Sequence, residues 1–116
     1  MIKRRTERPL EKAEHRFDGE GYVTIDGLLN SSEEMHGKGR LFAHITLLPG
    51  HSIGYHVHTG ESETYYIYSG KGEFNDNGTS TSVSSGDVTF TPPGHGHSIK
   101  NIGDEPLEII ALILFQ

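Results

Sequence analysis

The sequence predicts an all-β domain, an antiparallel sandwich or barrel, on two observations. The 116 residues include 15 glycines and 5 prolines, and so many turn-forming residues suit short strands better than long helices. From Gly19 onward a glycine, proline or asparagine interrupts the chain every several residues, and the segments between are rich in β-branched and aromatic residues. The length is that of one domain rather than two.

Nine strands are predicted between these turns. Residues 1–20 are polar and charged, contain Pro9 and are interpreted as an N-terminal arm, whereas residues 21–116 form the folded domain. In chain order the predicted strands are 21–28, 40–48, 52–58, 63–69, 72–75, 79–84, 87–91, 97–102 and 107–115. Residues 30–39 are expected to form a polar loop. Asn77-Gly78 is expected to close a tight hairpin, because asparagine and glycine accept the positive φ of such turns.

The last predicted strand, 107–115, carries apolar residues on both of its faces. One face of an antiparallel sheet normally meets water. A strand that is apolar on both faces therefore needs cover on its outer face, from a second sheet or from a second subunit. We expect a homodimer.

Charge and composition exclude several classes of protein. The formal net charge is −6, and the acidic excess lies in residues 21–116, so a nucleic-acid-binding face is not expected. The basic cluster Lys3-Arg4-Arg5 lacks the apolar stretch of a signal peptide, and the apolar run 107–115 is too short to cross a membrane as a helix. With no cysteine there is neither a disulfide framework nor a thiolate metal site. We expect a cytoplasmic protein that binds neither nucleic acid nor membrane.

Histidine is the main chemical resource of the chain, with eight copies. His56 and His58 are two residues apart, so on a strand both imidazoles project from one face. A turn after His58 allows Glu63 to point to the same side, and the rigid turn at residues 92–94 can deliver His97 from another part of the sheet. Three imidazoles and one carboxylate suit Mn, Fe, Co, Ni, Cu or Zn better than they suit Ca or Mg.

The spacing of these residues resembles the two sequence motifs of the cupin superfamily. The first motif is matched by Gly50, His56, His58, Glu63 and Gly70, and the second by Gly86, Pro92, Gly94, His97 and Asn101. The 15 residues between the motifs match the short spacing of small bacterial single-domain cupins. The resemblance implies a double-stranded β-helix, or jelly-roll barrel, with a metal held inside by His56, His58, Glu63 and His97. Mn or Fe is the favoured ion.

Four further residues are candidates for the surroundings of the metal. Tyr65 and Ile67 follow Glu63 on one face of the predicted strand and are expected to line the cavity. His44 and His95 are candidate catalytic or substrate-contacting residues, provided that the face of His44 turns inward and that His95 lines the mouth of the barrel. The alternative is a partner-facing or exposed position for His44 and a solvated position for His95.

The resemblance leaves several functions open. The preferred interpretation is a small metal-dependent enzyme of the oxygenase or decarboxylase type, acting on a small oxyacid or similar chelating metabolite. Four protein ligands on a six-coordinate ion leave two positions for such a ligand. A decarboxylase needs a carboxylate or an arginine beside the metal, and only Glu61 and Arg40 could serve. The alternatives are a non-catalytic protein that binds or senses a metabolite or sugar, and a sugar isomerase or epimerase.

Overall fold

Ten strands in two antiparallel sheets make up the structure, a computed structural model that describes residues 1–116. The strands are β1 (Leu10–Glu14), β2 (Tyr22–Leu29), β3 (Gly39–Leu47), β4 (Ser52–Val57), β5 (Glu61–Ser69), β6 (Lys71–Asp76), β7 (Thr79–Ser84), β8 (Val88–Thr91), β9 (Gly96–Asn101) and β10 (Leu107–Phe115). Two 3-10 helices, Arg5–Glu7 and Arg16–Asp18, flank β1. One sheet has the order β1-β2-β3-β10-β5-β8 and the other β4-β9-β6-β7. The predicted all-β jelly-roll fold is confirmed.

All nine predicted strands are present, each end within two residues of its predicted position. The predicted hairpin joins β6 to β7, where Asp76 pairs with Thr79 across the two-residue turn. Asn77 and Gly78 have φ values of 49° and 107°, which is the backbone of the mirror-image turns that suit the twist of a hairpin. No helix of the structure has the length and apolar character needed to span a bilayer.

The N-terminal arm contains a strand that the sequence analysis did not predict. Residues Leu10–Glu14 form β1, which pairs with β2 from Leu10 opposite Asp26 to Glu14 opposite Tyr22. β1 is an edge strand, and of its five residues only Ala13 is even half-buried. A strand that buries so little leaves no alternation of apolar and polar residues in the sequence, which is why the pattern missed it.

An ion pair fastens this N-terminal segment to β2. The Arg8 guanidinium donates from Nε to Asp26 Oδ1 at 3.0 Å and from Nη2 to Oδ2 at 2.9 Å. The hydrogen bonds from Arg8 hold the pKa of the Asp26 carboxyl below its usual value of 3.8, against the opposing effect of burial.

We expect Asp26→Asn to lower the urea midpoint of unfolding at pH 7, because the amide cannot accept two charge-assisted hydrogen bonds from Arg8. A carboxyl whose pKa is depressed by folding stabilises the native state above the unfolded pKa, and this stability is lost as the pH falls through the folded pKa. The difference in urea midpoint between wild type and Asp26→Asn should therefore decrease as the pH falls below 3.8. Asp104→Asn, at an exposed carboxylate outside the strands, is the matched control. An equal midpoint for Asp26→Asn and wild type at pH 7 would contradict the expectation.

The hydrophobic core lies between the two sheets. On β10 the side chains of Leu107, Ile109, Ala111 and Ile113 are buried on the inner face. β10 itself lies in the middle of the six-stranded sheet, between β3 and β5, although it is the last strand in chain order.

The outer face of the six-stranded sheet is not covered by the second sheet. Apart from Asp26, which is buried beside Arg8, its side chains are half-buried or exposed, and Val88 and Phe90 on β8 are 63% and 57% exposed. The strand registers place six apolar residues next to one another on this face, here called the outer apolar patch: Phe42, Tyr66, Val88, Phe90, Ile110 and Leu112. Within one chain, the outer face of β10 therefore lacks the cover that its sequence requires.

Candidate metal centre

The four predicted metal ligands meet between the two sheets. His56 on β4 is paired directly with His97 on β9, and the pairing of these strands is irregular between Ile53 and His56. His58 follows the end of β4, and Glu63 reaches the same point from β5 in the other sheet. One nitrogen or oxygen of each of the four side chains lies within 4.8 Å of those of the others. The structure thus brings together the residues that the sequence selected, and the cluster could hold a metal ion.

The separations between these atoms suit the coordination shell of one ion. Glu63 Oε1 lies 2.9 Å from His58 Nε2 and 3.0 Å from His97 Nε2. His97 Nε2 lies 3.1 Å from His58 Nε2 and 3.3 Å from His56 Nε2. Two ligands at right angles, each about 2.1 Å from a metal, are about 3.0 Å apart. The residues present therefore fit a transition ion with nitrogen and oxygen ligands.

Hydrogen bonds to the other ring nitrogens orient the three imidazoles. His56 Nδ1 lies 2.8 Å from the carbonyl oxygen of Gly54, and His58 Nδ1 lies 2.8 Å from Glu61 Oε2. A carbonyl and a carboxylate only accept, so both Nδ1 atoms carry a proton, and Nε2 is the nitrogen of each neutral ring that is left to bind a metal. His97 Nδ1 lies 2.7 Å from the hydroxyl of Thr91. The rings are therefore held with Nε2 toward the centre of the cluster.

Glu61 and Arg40 support His58 and do not stand free beside the cluster. The Arg40 guanidinium donates from Nε and Nη2 to the two oxygens of Glu61, both at 2.7 Å. The hydrogen bond to Arg40 is the largest influence on the Glu61 carboxyl and lowers its pKa, so that Glu61 is ionised when it accepts from His58. This Arg40–Glu61–His58 chain is the outer support that metal-binding histidines commonly need.

The charge state of the cluster favours a cation. Burial raises the pKa of the Glu63 carboxyl, but hydrogen bonds from His58 and His97 outweigh it and hold the pKa at about 2. The hydrogen bond with Glu63 raises the pKa of His58, whereas burial lowers the pKa of His56. A carboxylate that stays ionised while almost fully buried needs positive charge beside it, which protonated imidazoles or a metal ion bound in their place could supply.

Of the two predicted cavity-lining residues, Tyr65 lies at the site and Ile67 does not. The Tyr65 ring stacks on the His97 imidazole with centroids 5.1 Å apart, and Tyr65 is one of the residues that line the cavity. Burial raises the pKa of its phenol well above the usual value of 10, so the side chain is a neutral wall. Ile67 is completely buried in the hydrophobic core and is not among the residues that line the cavity. Ile67, two residues after Tyr65 on β5, therefore belongs to the core and not to the site.

The structure places both candidate catalytic histidines away from the cavity. Nε2 of His44 is paired with the Glu108 carboxylate, its neighbour on the outer face of the six-stranded sheet. The side chain of His95 is exposed, although the backbone carbonyl of this residue accepts from the His58 N–H at 3.0 Å. Neither side chain lines the cavity. The inward face of β3 carries Ala43 and Ile45 instead.

A cavity of about 150 Å³ is lined by three of the four ligands, His56, His58 and Glu63. Its polar residues, apart from the ligands, are Arg16, Arg40 and Glu61, and the remaining wall is apolar. Arg16 and Phe17 come from the N-terminal segment, for which the sequence predicted no function. The Phe17 ring lies flat on the His56 imidazole, with centroids 3.9 Å apart and an angle of 11° between the planes. No sequence signal marked these two residues, because their partner is almost forty positions away and their own segment is polar.

The comparisons with known proteins agree with this geometry. A family model described as Cupin domain matches residues 43–113. The chain belongs to the cupin family. This cupin is 46% identical over 114 residues to the Oxalate-binding protein of Thermotoga maritima, an alignment that covers 98% of the chain and 93% of that protein. It is 32% identical over 94 residues to an uncharacterized protein of Methanocaldococcus jannaschii, covering 77% of the chain and 74% of the other.

Solved structures show the same fold. The crystal structure of a predicted oxalate decarboxylase from Thermotoga maritima superposes on the whole cupin chain with a TM-score of 0.94 and 45% identity, and each chain is covered completely. The cupin domain of Cnp3 from Schizosaccharomyces pombe gives a TM-score of 0.72 at 19% identity, over 81% of this chain and 61% of that one. The second comparison shows a shared fold only. The first extends the likeness to β1 and to the 3-10 helix before β2.

Proposed function

We propose that this cupin binds a divalent transition metal on His56, His58, Glu63 and His97, and a small carboxylate directly on that metal. The observation that carries the proposal is the convergence of three Nε2 atoms and one Glu63 oxygen, with the Nδ1 atoms turned away to hydrogen-bond partners. A bound ion supplies positive charge and open coordination positions. Mn or Fe is the proposed ion, because four ligands from protein leave room for more on an ion that prefers six.

The charge and size of the cavity support a small anionic ligand. A divalent ion with Glu63 as its one anionic protein ligand keeps one positive charge, which attracts an anion in a site of low polarity. The cavity has a volume of about 150 Å³. Pockets for larger metabolites are at least about twice this volume. The relative from Thermotoga maritima is named Oxalate-binding protein, and oxalate is a small anion of this kind.

Binding without turnover fits the cavity better than catalysis does. An oxygenase or decarboxylase needs a group that can give or take a proton beside the ligand. The side chains of His44 and His95 lie outside the cavity. Both oxygens of Glu61 are committed to Arg40, and one of them also to His58. We therefore place metabolite binding ahead of the metal-dependent oxygenase or decarboxylase, which stays a prediction.

Calorimetry with oxalate tests the proposal on untagged protein, in the Mn²⁺-loaded and in the metal-free form. We expect one oxalate per chain to bind the loaded protein and none to bind the metal-free protein. Binding by both forms alike, or by neither form, would refute the metal as the anchor of the ligand. Mass spectrometry of the same mixtures under air then separates the two candidate functions, since conversion of oxalate to formate or carbon dioxide would favour the enzyme.

We also propose that two copies of the chain pair through the outer apolar patch. The patch contains no charged residue, and a two-fold pairing would cover the same surface on both copies at once. The outer face of β10 would then have the cover that one chain does not supply. A cytoplasmic location stays a prediction.

A further inference from the structure

The segment His15–Asp18 crosses the mouth of the metal cavity and is here called the strap. It is seated on β4 by two close backbone approaches. A Cβ atom on Gly54 would lie 1.8 Å from the carbonyl oxygen of Phe17, and one on Gly19 would lie 2.2 Å from that of Ser52. Only glycine permits approaches this close. The strap is therefore held against the strand that carries His56.

The backbone of the strap is unusual. His15, Phe17 and Asp18 have φ values of 50°, 51° and 62°, in the left-handed region that residues other than glycine seldom adopt. Backbone strain of this kind persists only where the surroundings fix it, and it is concentrated at functional sites. Here the surroundings are the hydrogen bond between His15 Nδ1 and the Gly19 carbonyl, at 3.1 Å, and the stacking of Phe17 on His56.

Arg16 is the cation that this conformation brings to the cavity. It lines the same cavity as His56, His58 and Glu63. The other arginine of the cavity, Arg40, is committed to Glu61 by two hydrogen bonds. Arg16 has no carboxylate partner, and its guanidinium lies over the Phe17 ring at 5.3 Å. Its planar set of N–H donors is therefore free to bind an anion in the cavity.

Arg16 changes the charge that the cavity can neutralise. Arg40 and Glu61 cancel each other, and Glu63 cancels one charge of a divalent ion. The remaining charge of the ion and the charge of Arg16 together match a dianion. A monocarboxylate would satisfy the metal and leave the guanidinium without a partner.

We propose that Arg16 binds a second carboxylate group, so that the strap gives this cupin its preference for a small dicarboxylate over a monocarboxylate. The inference rests on the proposed function, since the first carboxylate is on the metal. The cavity volume of about 150 Å³ favours a dicarboxylate of a few carbon atoms.

The test compares wild type, Arg16→Gln and Arg16→Lys, all loaded with Mn²⁺, in calorimetric titrations with oxalate and with acetate. For Arg16→Gln we expect the affinity for oxalate to fall about tenfold or more, the value of a charge-assisted hydrogen bond. The affinity for acetate and the metal content should not change. Arg16→Lys keeps the charge without the planar donors, so its affinity for oxalate should lie between those of wild type and Arg16→Gln. Arg4→Gln, at an exposed arginine of the same N-terminal segment that does not line the cavity, is the matched control.

Hydrogen exchange of the strap amides gives a second measurement that does not depend on turnover. Oxalate should slow exchange in residues 15–18 of the loaded wild type, and should do so less in Arg16→Gln. An equal loss of oxalate and acetate affinity in Arg16→Gln, or no loss of either, would overturn the role of Arg16 and leave the proposed function standing. Failure of both acids to bind the wild type would overturn the proposed function and this inference with it.

Discussion

His97→Ala should purify without stoichiometric metal. Its Nε2 atom is 3.0 to 3.3 Å from a ligand atom of each of the other three residues, and the side chain is fully buried. Alanine would remove one nitrogen ligand and would leave a space at the centre of the cluster. The substitution of an outer partner costs about 10- to 100-fold in metal affinity, and the loss of a ligand should cost more.

Elemental analysis of untagged protein after dialysis gives the number of ions per chain. Glu61→Gln should show the smaller loss, about 10- to 100-fold in affinity, because Glu61 orients His58 and is not itself a ligand. His36→Ala, at an exposed histidine in the loop before β3, controls for the general effect of removing an imidazole and should keep its metal. A full complement of metal in His97→Ala would contradict the assignment.

The metal should also leave as the pH falls. Bound imidazoles must be neutral, so protons compete with the ion. The pKa of His58 is raised above 6.5 in the metal-free cluster, so competition at this residue begins above that pH. Glu63, with a pKa of about 2, stays ionised throughout this range. The apparent affinity should therefore decrease as the pH is lowered through about 6, and an affinity unchanged down to pH 5 would contradict imidazole ligation.

We expect Phe90→Glu to convert the proposed dimer into a monomer. Phe90 lies in the outer apolar patch and is 57% exposed in the single chain, so glutamate is compatible with the folded monomer. In the dimer the same carboxylate would be buried against an apolar surface without a partner, and the free-energy cost of that burial would prevent association.

Light scattering measures the mass directly, and we expect wild type at about twice the chain mass of 12.8 kDa. Ile102→Glu adds the same charge at an exposed isoleucine outside the strands and should remain a dimer. Circular dichroism shows whether each variant is folded. A wild type that is monomeric at micromolar concentration would refute the pairing.

The strands and the metal ligands could be predicted because they depend on local signals. The residues Asn77-Gly78 are by themselves enough to predict a tight turn. The spacing of His56, His58 and Glu63 predicts that their side chains lie on one side of neighbouring strands. His97 followed from the turn before it. In each case a few adjacent residues determine the conformation, so one sequence suffices.

The remaining parts of the site depend on contacts that no short stretch of sequence encodes. Phe17 meets His56 only because the strap turns back over β4, with Gly54 allowing the approach. Glu61 supports His58 because Arg40, in a different strand, binds both of its carboxylate oxygens. That contact cannot be predicted from the residues next to Glu61. The face of β3 that carries His44 could not be chosen from alternation, because both faces of that strand contain apolar residues.

The position of β10 bears on how the chain folds. β3 and β5 do not pair with each other. β10 lies between them and joins the β1-β2-β3 part of the six-stranded sheet to the β5-β8 part, although its residues 107–115 follow both strands along the chain. Until β10 is inserted, β3 and β5 present unpaired backbone edges and an open inner face, which are the features that make folding intermediates aggregate. Closure must bring together residues as far apart as Gly39 and Leu114, and contacts this distant in sequence slow the search for the native state. The rate of folding should thus depend on the capture of this one strand.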